Sequence, residues 1–368
     1  MALIFSDGFD HYTALADMET SRNWTMENIN DSTITLGTTT GKNGGGAVQL
    51  LDGTSDYIYK QTDRNMANSE TVCCAFWFKS AAATTPSATT YILSLTDRTS
   101  IDGNSSGHGR MRINTSGQVE LLGGGGSGAP LISVLTNVCD TNWHFIQMAY
   151  KNASTGGVLR LNVDGTASVS DITSGNTLGS SGNGSDPCRN VVLQSGTGQD
   201  TTYYIDDLIV YDNVSSGISG DLSYSSSYPL SEYRIETLTP SAAGTNSGWT
   251  PDSGANYTNV DEAVSDDSTT KVSTSSGTTV DTYNFTDIAG TAASVVGVMI
   301  SSRARTAVGG TTDIKHRCYS NTTTNSSATL SLNNAWEFRQ TFLGQDPDTS
   351  SAWTESGLDA AEFGVETT

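Results

Sequence analysis

The alternation of side chains with a period of two residues is most regular between Trp143 and Gly165. It runs through residues 143–151 and resumes in residues 158–163, after a turn of small residues at 153–157. A period of two indicates a β-strand, because successive side chains of a strand point to opposite faces of the sheet. The stretch therefore predicts an antiparallel hairpin, followed by a tight turn at Asp164-Gly165.

Shorter segments of the same kind recur along the whole chain. Residues 71–79, TVCCAFWFK, are apolar on both faces, so we expect this strand to lie in the middle of a sheet. No long segment has the 3.6-residue period of an amphipathic helix, so helices should be scarce. The pattern predicts an all-β protein built from antiparallel sandwiches.

The chain has 368 residues, which is enough for two domains. We expect a first sandwich domain in residues 1–214, a Ser/Gly-rich linker in residues 215–232, and a smaller β-sandwich in residues 233–368. Hydrophobic residues make up only 35% of the chain and charged residues 15%, while 38 residues are glycine. That composition is typical of many short strands joined by polar turns, and the aromatic residues spread along the chain argue against disorder.

The formal net charge is −21, and no basic run is present. An acidic surface repels polyanions, so we expect no nucleic-acid partner. The first residues, MALIFSDGFD, contain no basic start and no long apolar run. We therefore expect no signal peptide, no membrane span, and synthesis in a cytoplasm.

The five cysteines are too far apart, or too close together, for a C-x-x-C zinc motif. Cys73 and Cys74 are adjacent in a strand, so their thiols should point to opposite faces. Buried thiols are the expectation, and spacing alone leaves a disulfide open.

Two stretches resemble concanavalin-A-like or laminin-G-like jelly rolls. They are the hairpin with its Trp143-His144 strand and its V-D-G ending, and the strand YIDDLIVYD at residues 204–212. The resemblance implies a concanavalin-A-like antiparallel jelly-roll sandwich in the first domain.

Four stretches in order also resemble a family of tailed-bacteriophage virion proteins. They are residues 7–12 (DGFDHY), 204–212, 248–262 with 280–285, and 345–366. The resemblance implies a non-enzymatic structural component on the virion surface, as head decoration, collar or tail appendage. Its partners would be other copies of itself, with a trimer favoured, and phage head, neck or tail proteins.

The alternative is a glycan-binding module for host attachment, which is compatible with a place on a virion. Aromatic side chains offer flat surfaces for sugar stacking, and the candidates are Trp24, Tyr57, Tyr59 and Trp77. Each has the competing interpretation of a core residue, since aromatic side chains on short strands mostly pack inside. Calcium often orders such sites, and Asp7 with Asp10 and the segment Asp102-Gly103-Asn104 offer oxygen ligands. No EF-hand-like spacing is present, so we expect no cofactor and keep calcium only as an alternative.

The third class, a glycan hydrolase on a phage tail, has the least support in the sequence. Two convergent carboxylates are required. Asp206 and Asp207 are adjacent, so strict alternation would send them to opposite faces. Glu120 and Asp164 are available, but no motif ties them together. His144 follows a tryptophan within a strand and is expected to be structural, so we expect no enzyme and no catalytic residue.

Overall fold

A computed structural model gives the architecture of the chain. It describes residues 3–22, 24–27, 33–53, 56–66, 70–96, 107–124, 130–178, 188–212, 232–262, 264–290, 295–307 and 313–368. The all-β prediction is confirmed, because strands form nearly all of the regular structure in these residues. Every described strand pair is antiparallel.

The chain divides into two compact units. The first holds most of the described residues up to Ile235, and the second holds Glu236–Thr368. The sequence placed the start of the second domain at residue 233, whereas the structure puts Tyr233 and Ile235 in the first unit. Both side chains pack on an apolar cluster of that unit, which explains the difference. The expected linker lies, up to residue 231, outside the described residues.

The strands and the helix of the first unit follow one another with short connections. In chain order they are β1 (Leu3–Asp7), α1 (Leu15–Arg22), β2 (Trp24–Glu27), β3 (Ile34–Gly37), β4 (Ala47–Leu50), β5 (Tyr57–Met66), β6 (Val72–Ser80), β7 (Thr90–Thr96), β8 (Gly107–Ile113), β9 (Gln118–Leu122), β10 (Leu131–Asn137), β11 (Trp143–Lys151), β12 (Gly157–Val163), β13 (Thr166–Ala167), β14 (Ile172–Gly175), β15 (Cys188–Gln194) and β16 (Tyr203–Asp212). Helix α1 has no apolar periodicity that could have predicted it. Asp17 stabilises its first turn by accepting hydrogen bonds from Thr13 and Ala14.

These strands form two sheets. Sheet A has the order β13-β12-β11-β6-β16-β4-β3, with β1 also on β16 and β14 also on β12. Sheet B has the order β10-β9-β8-β7-β15-β5-β2. Strand β6 lies between β11 and β16 and is buried along almost all of its length, as its apolar sequence predicted. One core cluster draws apolar side chains from both sheets, which is the arrangement of a β-sandwich.

All five cysteines are free thiols and buried. The expectation for the adjacent pair is confirmed, since Cys74 lies in the core between the sheets and Cys73 lies in a second apolar cluster on the other face of sheet A. Burial raises the pKa of the Cys73 thiol to about 12, so this side chain behaves as a small apolar group.

The hairpin predicted from residues 143–165 is β11 and β12, and the structure shows why its ends carry a histidine and an aspartate. The His144 Nδ1 atom lies 2.7 Å from Asp164 Oδ2, and its Nε2 atom lies 2.8 Å from Asp140 Oδ1. Asp164 also accepts a hydrogen bond from the Phe145 backbone N–H. Burial alone would lower the pKa of His144, but the bonds to Asp164 and Asp140 outweigh it and raise that pKa. The W-H strand and the V-D-G turn are thus joined by one ionic contact.

The second unit is smaller and is also antiparallel β. Its elements in chain order are β17 (Pro240–Ser247), β18 (Thr250–Pro251), a 3₁₀ turn (Tyr257–Asn259), β19 (Val272–Ser273), β20 (Val280–Phe285), β21 (Val298–Ala304), β22 (Ile314–Ser320), β23 (Thr323–Ser326), β24 (Glu337–Leu343), α2 (Glu355–Asp359) and β25 (Glu362–Thr367). The main sheet has the order β17-β20-β25-β22-β23, and β21 pairs with β24. Trp353 and Phe363 pack in its core.

Buried polar contacts explain two of the sequence stretches in this unit. Asp281, which is fully buried, accepts hydrogen bonds from Asn256 Nδ2 and from the Tyr283 hydroxyl. Asp346 accepts hydrogen bonds from the Ser320 hydroxyl and from the Asp348 N–H. Each carboxylate connects a loop to the strands beside it. The hydrogen bonds satisfy the buried oxygens, which would otherwise destabilise the fold.

Candidate functional site

Three of the four aromatic side chains expected to bind glycan are buried. Trp24 is 1% exposed, Trp77 is 3% exposed and Tyr59 is 7% exposed. A ring so covered presents no face to a sugar, so for these three residues the competing core interpretation holds. Tyr57 is half-buried and remains a candidate.

Trp24 is held in place by the opening DGFDHY segment. Asp7 Oδ2 accepts hydrogen bonds from the Trp24 indole N–H at 3.0 Å and from the Tyr12 hydroxyl at 2.6 Å. Asp7 Oδ1 accepts the Phe9 backbone N–H at 3.1 Å. Both carboxylate oxygens of Asp7 are therefore engaged by groups within the protein.

Trp77 lies on the face of sheet A that points away from the sandwich core. Its indole N–H donates to the Tyr233 carbonyl at 2.9 Å, and the Lys42 Nζ atom lies 3.0 Å from the centroid of its ring. Phe145 packs beside it, with ring centroids 5.0 Å apart. The ring is thus covered by a lysine and by the chain segment that contains Tyr233.

A row of polar and aromatic side chains crosses the outer face of sheet B. Tyr91 on β7 pairs with Arg112 on β8, and Arg112 pairs with Glu120 on β9. The intervening residues Met111 and Leu121 point into the core. Alternation along each strand therefore places the row on the outer face, where all three side chains are half-buried.

The same face carries three further side chains. Arg110 lies on β8 two residues before Arg112, and Gln194 on β15 pairs with Tyr57 on β5. We call the set of Tyr57, Tyr91, Arg110, Arg112, Glu120 and Gln194 the tyrosine–arginine face. Tyr57 is the one member that the sequence identified.

Ionic and cation–π contacts order this face. Arg112 Nε lies 2.6 Å from Glu120 Oε2, and the Asn114 amide donates to Glu120 Oε1 at 2.9 Å. The Arg110 guanidinium lies 5.0 Å from the Tyr91 ring centroid, and the Arg112 guanidinium lies 5.9 Å from it. Fixed rotamers lower the entropy lost on binding, so such a surface is suited to ligands with many weak polar contacts.

The paired carboxylates Asp206 and Asp207 do not follow strict alternation. The register of β16 against β6 shifts between Asp206 and Ile209, and Asp207 has a φ of 49°. Asp206 Oδ2 accepts a hydrogen bond from the Lys42 backbone N–H at 2.7 Å, and Asp207 Oδ1 accepts one from the Ile235 backbone N–H at 2.8 Å. The bulge therefore brings both carboxylates to the side of sheet A where residues 232–235 pack, which corrects the sequence interpretation.

Burial raises the pKa of both members of this pair. It raises the pKa of Asp206 to about 7, and burial together with the Asp206 charge raises the pKa of Asp207 to about 8. The Tyr233 hydroxyl donates to the carbonyls of Ala75 and Asp207, so the bulge anchors the last residues of the first unit. We assign the pair a structural role.

Glu120 and Asp164, the two carboxylates considered for hydrolysis, do not form an acid/base pair. Glu120 bonds to Arg112 on sheet B and Asp164 bonds to His144 on sheet A, so the two carboxylates do not converge on one bond.

A second arrangement, a serine beside a histidine, occurs in the second unit. Ser302 Oγ lies 2.7 Å from His316 Nε2, and His316 Nδ1 lies 2.8 Å from Thr341 Oγ1. Burial lowers the pKa of His316 to about 4, which makes it a weak base at neutral pH. We therefore interpret the three side chains as a structural hydrogen-bond network between neighbouring strands.

Among the described residues, no group of three or more His, Cys, Asp or Glu side chains is arranged to hold a metal ion. Of the other candidate calcium ligands, Asp10 accepts the Gly46 N–H at 2.9 Å, and residues 102–104 lie outside the described residues. No helix in the described part of the chain is long and apolar enough to cross a membrane.

No known family model matches the chain. No curated protein matches it either. Among solved structures, the serotype D botulinum neurotoxin binding domain aligns with a TM-score of 0.37 and 15% identity, covering 57% of this chain and 48% of that one. The binding domain of botulinum neurotoxin DC in complex with SialylT aligns with a TM-score of 0.32 and 12% identity, covering 52% and 42%.

A structure of botulinum neurotoxin type C, whose cell entry is dependent upon interaction with two ganglioside molecules, aligns with a TM-score of 0.34 and 12% identity, covering 57% of this chain and 47% of that one. The chain thus spans less than half the length of these three structures. The likeness is one of β-rich architecture.

Proposed function

We propose that this chain is a non-enzymatic glycan-binding module and that the tyrosine–arginine face of sheet B is its binding surface. The observation that carries the proposal is the outward row of Tyr91, Arg112 and Glu120 across three neighbouring strands. A sugar ring has an apolar C–H face and several hydroxyl groups. An aromatic ring offers stacking area, a guanidinium donates hydrogen bonds, and a carboxylate accepts them.

The contacts within the face support the same proposal. Glu120 holds Arg112 through a charge-assisted bond, which leaves the remaining guanidinium N–H groups in a fixed plane. Gln194 accepts from the Ser94 hydroxyl at 3.4 Å, which orients its amide on the same face. Hydroxyl recognition needs oriented donors and acceptors, and an extended sheet face provides room for several sugar units.

Tyr91→Ala tests the proposal, first by screening the purified chain on a glycan array and then by calorimetry with the best ligand. Loss of one stacking ring, worth about 1.4 kcal/mol, should weaken binding about tenfold. Arg112→Lys keeps the charge but removes the planar donors, and it should also weaken binding. Tyr204→Ala is the matched control, because Tyr204 is a half-buried tyrosine on sheet A.

Binding that survives Tyr91→Ala and Arg112→Lys but is lost in Tyr204→Ala would move the site to sheet A and overturn the assignment. An array without any ligand for the wild-type chain would overturn the function itself.

We further propose that the module is mounted on the surface of a tailed-phage virion, as the resemblance of its four sequence stretches implies. In that setting its partners are copies of itself and head, neck or tail proteins, and glycan binding attaches the particle to its host. Mass spectrometry of purified, fractionated particles tests this placement. Absence of the chain from every fraction would refute the placement without affecting the glycan-binding proposal.

A further inference from the structure

The tyrosine–arginine face contains a row of side chains that crosses sheet B. Two registered pairs place Glu120, Arg112 and Tyr91 side by side on β9, β8 and β7. A third registered pair places Gln194 and Tyr57 side by side on β15 and β5. These strands are neighbours in the order β9-β8-β7-β15-β5, so the row crosses five strands.

Strands β7 and β15 join the two halves of the row. Leu93 pairs with Leu193, and both point into the core. The next residue of β15, Gln194, therefore faces outward beside the beginning of β7, where Tyr91 lies. We call the five side chains that follow one another in this way the cross-strand row: Tyr57, Gln194, Tyr91, Arg112 and Glu120.

The cross-strand row is bounded along the strand direction. On one side, Ser94, Val192 and Tyr59 pair with one another on the same outer face, and all three are buried. On the other side the strands end, since β15 ends at Gln194 and β5 begins at Tyr57. The half-buried strip is therefore narrow along the strands and long across them, so a ligand that lies on it runs across the strands.

The length of the row sets the length of the ligand. Adjacent strands lie about 4.8 Å apart, so the spacings from β9 to β5 give the row a length of about 19 Å. One pyranose unit of an extended chain spans about one strand spacing, so the row is as long as about four units. Beyond Glu120 the paired residue on β10 is Ser133, whose side chain is too short to close that end. An open end admits the internal part of a long chain.

The two tyrosines set the repeat of the ligand. Strand β15 lies between the strands of Tyr57 and Tyr91, so these side chains start about 10 Å apart, which is two strand spacings. In an extended β-1,4-linked chain, alternate sugars turn the same face to one side. Each tyrosine ring can therefore stack on one of two alternate sugars, while Gln194 and Arg112 meet the hydroxyl groups of the units beside them.

We infer that the cross-strand row binds an internal stretch, about four units long, of an extended β-1,4-linked polysaccharide. This inference rests on the proposed function, because it names the class of glycan that the tyrosine–arginine face takes.

Calorimetry of the full chain with oligosaccharides of defined length tests the inference. The β-1,4-linked probes are cello-, chito- and manno-oligosaccharides of two to six units, and maltohexaose is the α-linked comparison, whose chain is curved. In the series that binds, affinity should rise about tenfold from two units to four, because the second ring becomes engaged, and should level off beyond four. Maltohexaose should bind about tenfold more weakly than the β-linked hexasaccharide, because it reaches one ring only.

Variants of Tyr57 test the role of the second ring. Tyr57→Ala should weaken binding of the four-unit oligosaccharide about tenfold, to the level of the two-unit one. Tyr57→Phe keeps the ring and should keep the dependence on length. Tyr204→Ala, on sheet A, is the matched control and should leave the whole series unchanged.

Equal affinity for two and for six units, or maltohexaose as the tightest ligand, overturns the inference. So does a dependence on length that survives in Tyr57→Ala. Failure of every β-linked probe overturns it as well. The proposed function then still stands if another glycan from the array binds and is lost in Tyr91→Ala, so the two ideas fail separately.

Discussion

Replacing Asp207 with asparagine should make the stability of the first unit less dependent on pH between about pH 5 and pH 8, by about 1.4 kcal/mol per pH unit. Burial raises the pKa values of Asp206 and Asp207 to about 7 and about 8, from an ordinary value of 3.8. The folded state therefore binds protons that the unfolded chain has already released. Stability is full below the unfolded pKa and falls as the pH rises through the folded values.

The magnitude follows from proton linkage. While the pair stays protonated in the folded state and ionised in the unfolded state, each proton lowers the free energy of unfolding by about 1.4 kcal/mol per pH unit. Asparagine at position 207 resembles the protonated acid and titrates no proton, so the variant should lose about that slope. Its oxygen can still accept the Ile235 N–H, and its amide replaces Oδ2, which has no partner among the described residues.

Neighbouring charged groups also affect the pKa values of Asp206 and Asp207. Asp7 and Asp10 raise the pKa of Asp206, and Lys42 opposes the rise for Asp207. All three stay unchanged in the variant, so the difference between the two slopes reports the loss of one proton from the Asp206–Asp207 pair.

Urea unfolding at a series of pH values, followed by hydrogen exchange of the strands of sheet A, measures the slope for the first unit alone. Asp287→Asn, at an exposed carboxylate of the second unit, is the matched control and should leave the slope unchanged. Equal slopes for the wild-type chain and Asp207→Asn would refute the reasoning, because the carboxylate would then be ionised in the folded state as well.

Three further outcomes follow from buried polar contacts. Asp7→Ala removes the carboxylate that accepts hydrogen bonds from three buried groups, so it should lower the free energy of unfolding by about 3 kcal/mol or more, measured by urea titration. The His144 imidazole should titrate above pH 6.5 by NMR, and Asp164→Asn should lower that pKa. The stability that this contact contributes is present below pH 6.5 and is lost as the pH rises through the raised pKa. His316 should show no titration by NMR between about pH 5 and pH 8, since burial holds its pKa near 4.

A different result would contradict each of these three predictions. An Asp7→Ala variant as stable as wild type would mean that water replaces the carboxylate. An unchanged His144 titration in Asp164→Asn would show that the turn aspartate does not hold the histidine. Protonation of His316 near pH 6.5 would show that its strands open to solvent.

The central hairpin could be predicted from sequence because both strands and their turn are local. Period-two alternation identifies the strands, and small residues identify the turn, without knowledge of any distant contact. The ionic contact between His144 and Asp164 is also local to this hairpin, although only its geometry reveals that the two residues bond.

The tyrosine–arginine face could not be found in the same way. Tyr91, Arg112 and Glu120 lie on three different strands, and their alignment depends on the register between those strands. Alternation gives the relative direction of neighbouring side chains but not which direction is the core. That is why Trp24 and Trp77 were plausible platforms from sequence, although one lies between the sheets and the other under Lys42.

The sequence by itself determined the fold class, because strand periodicity, turn residues and the lack of helical periodicity are properties of short segments. It also determined the acidic character of the chain and the burial of its small thiols in apolar strands. Only the tertiary structure decided which face of each sheet is exposed and where β16 bulges at Asp206. Those features depend on how distant strands pair and pack, and no short segment contains that information.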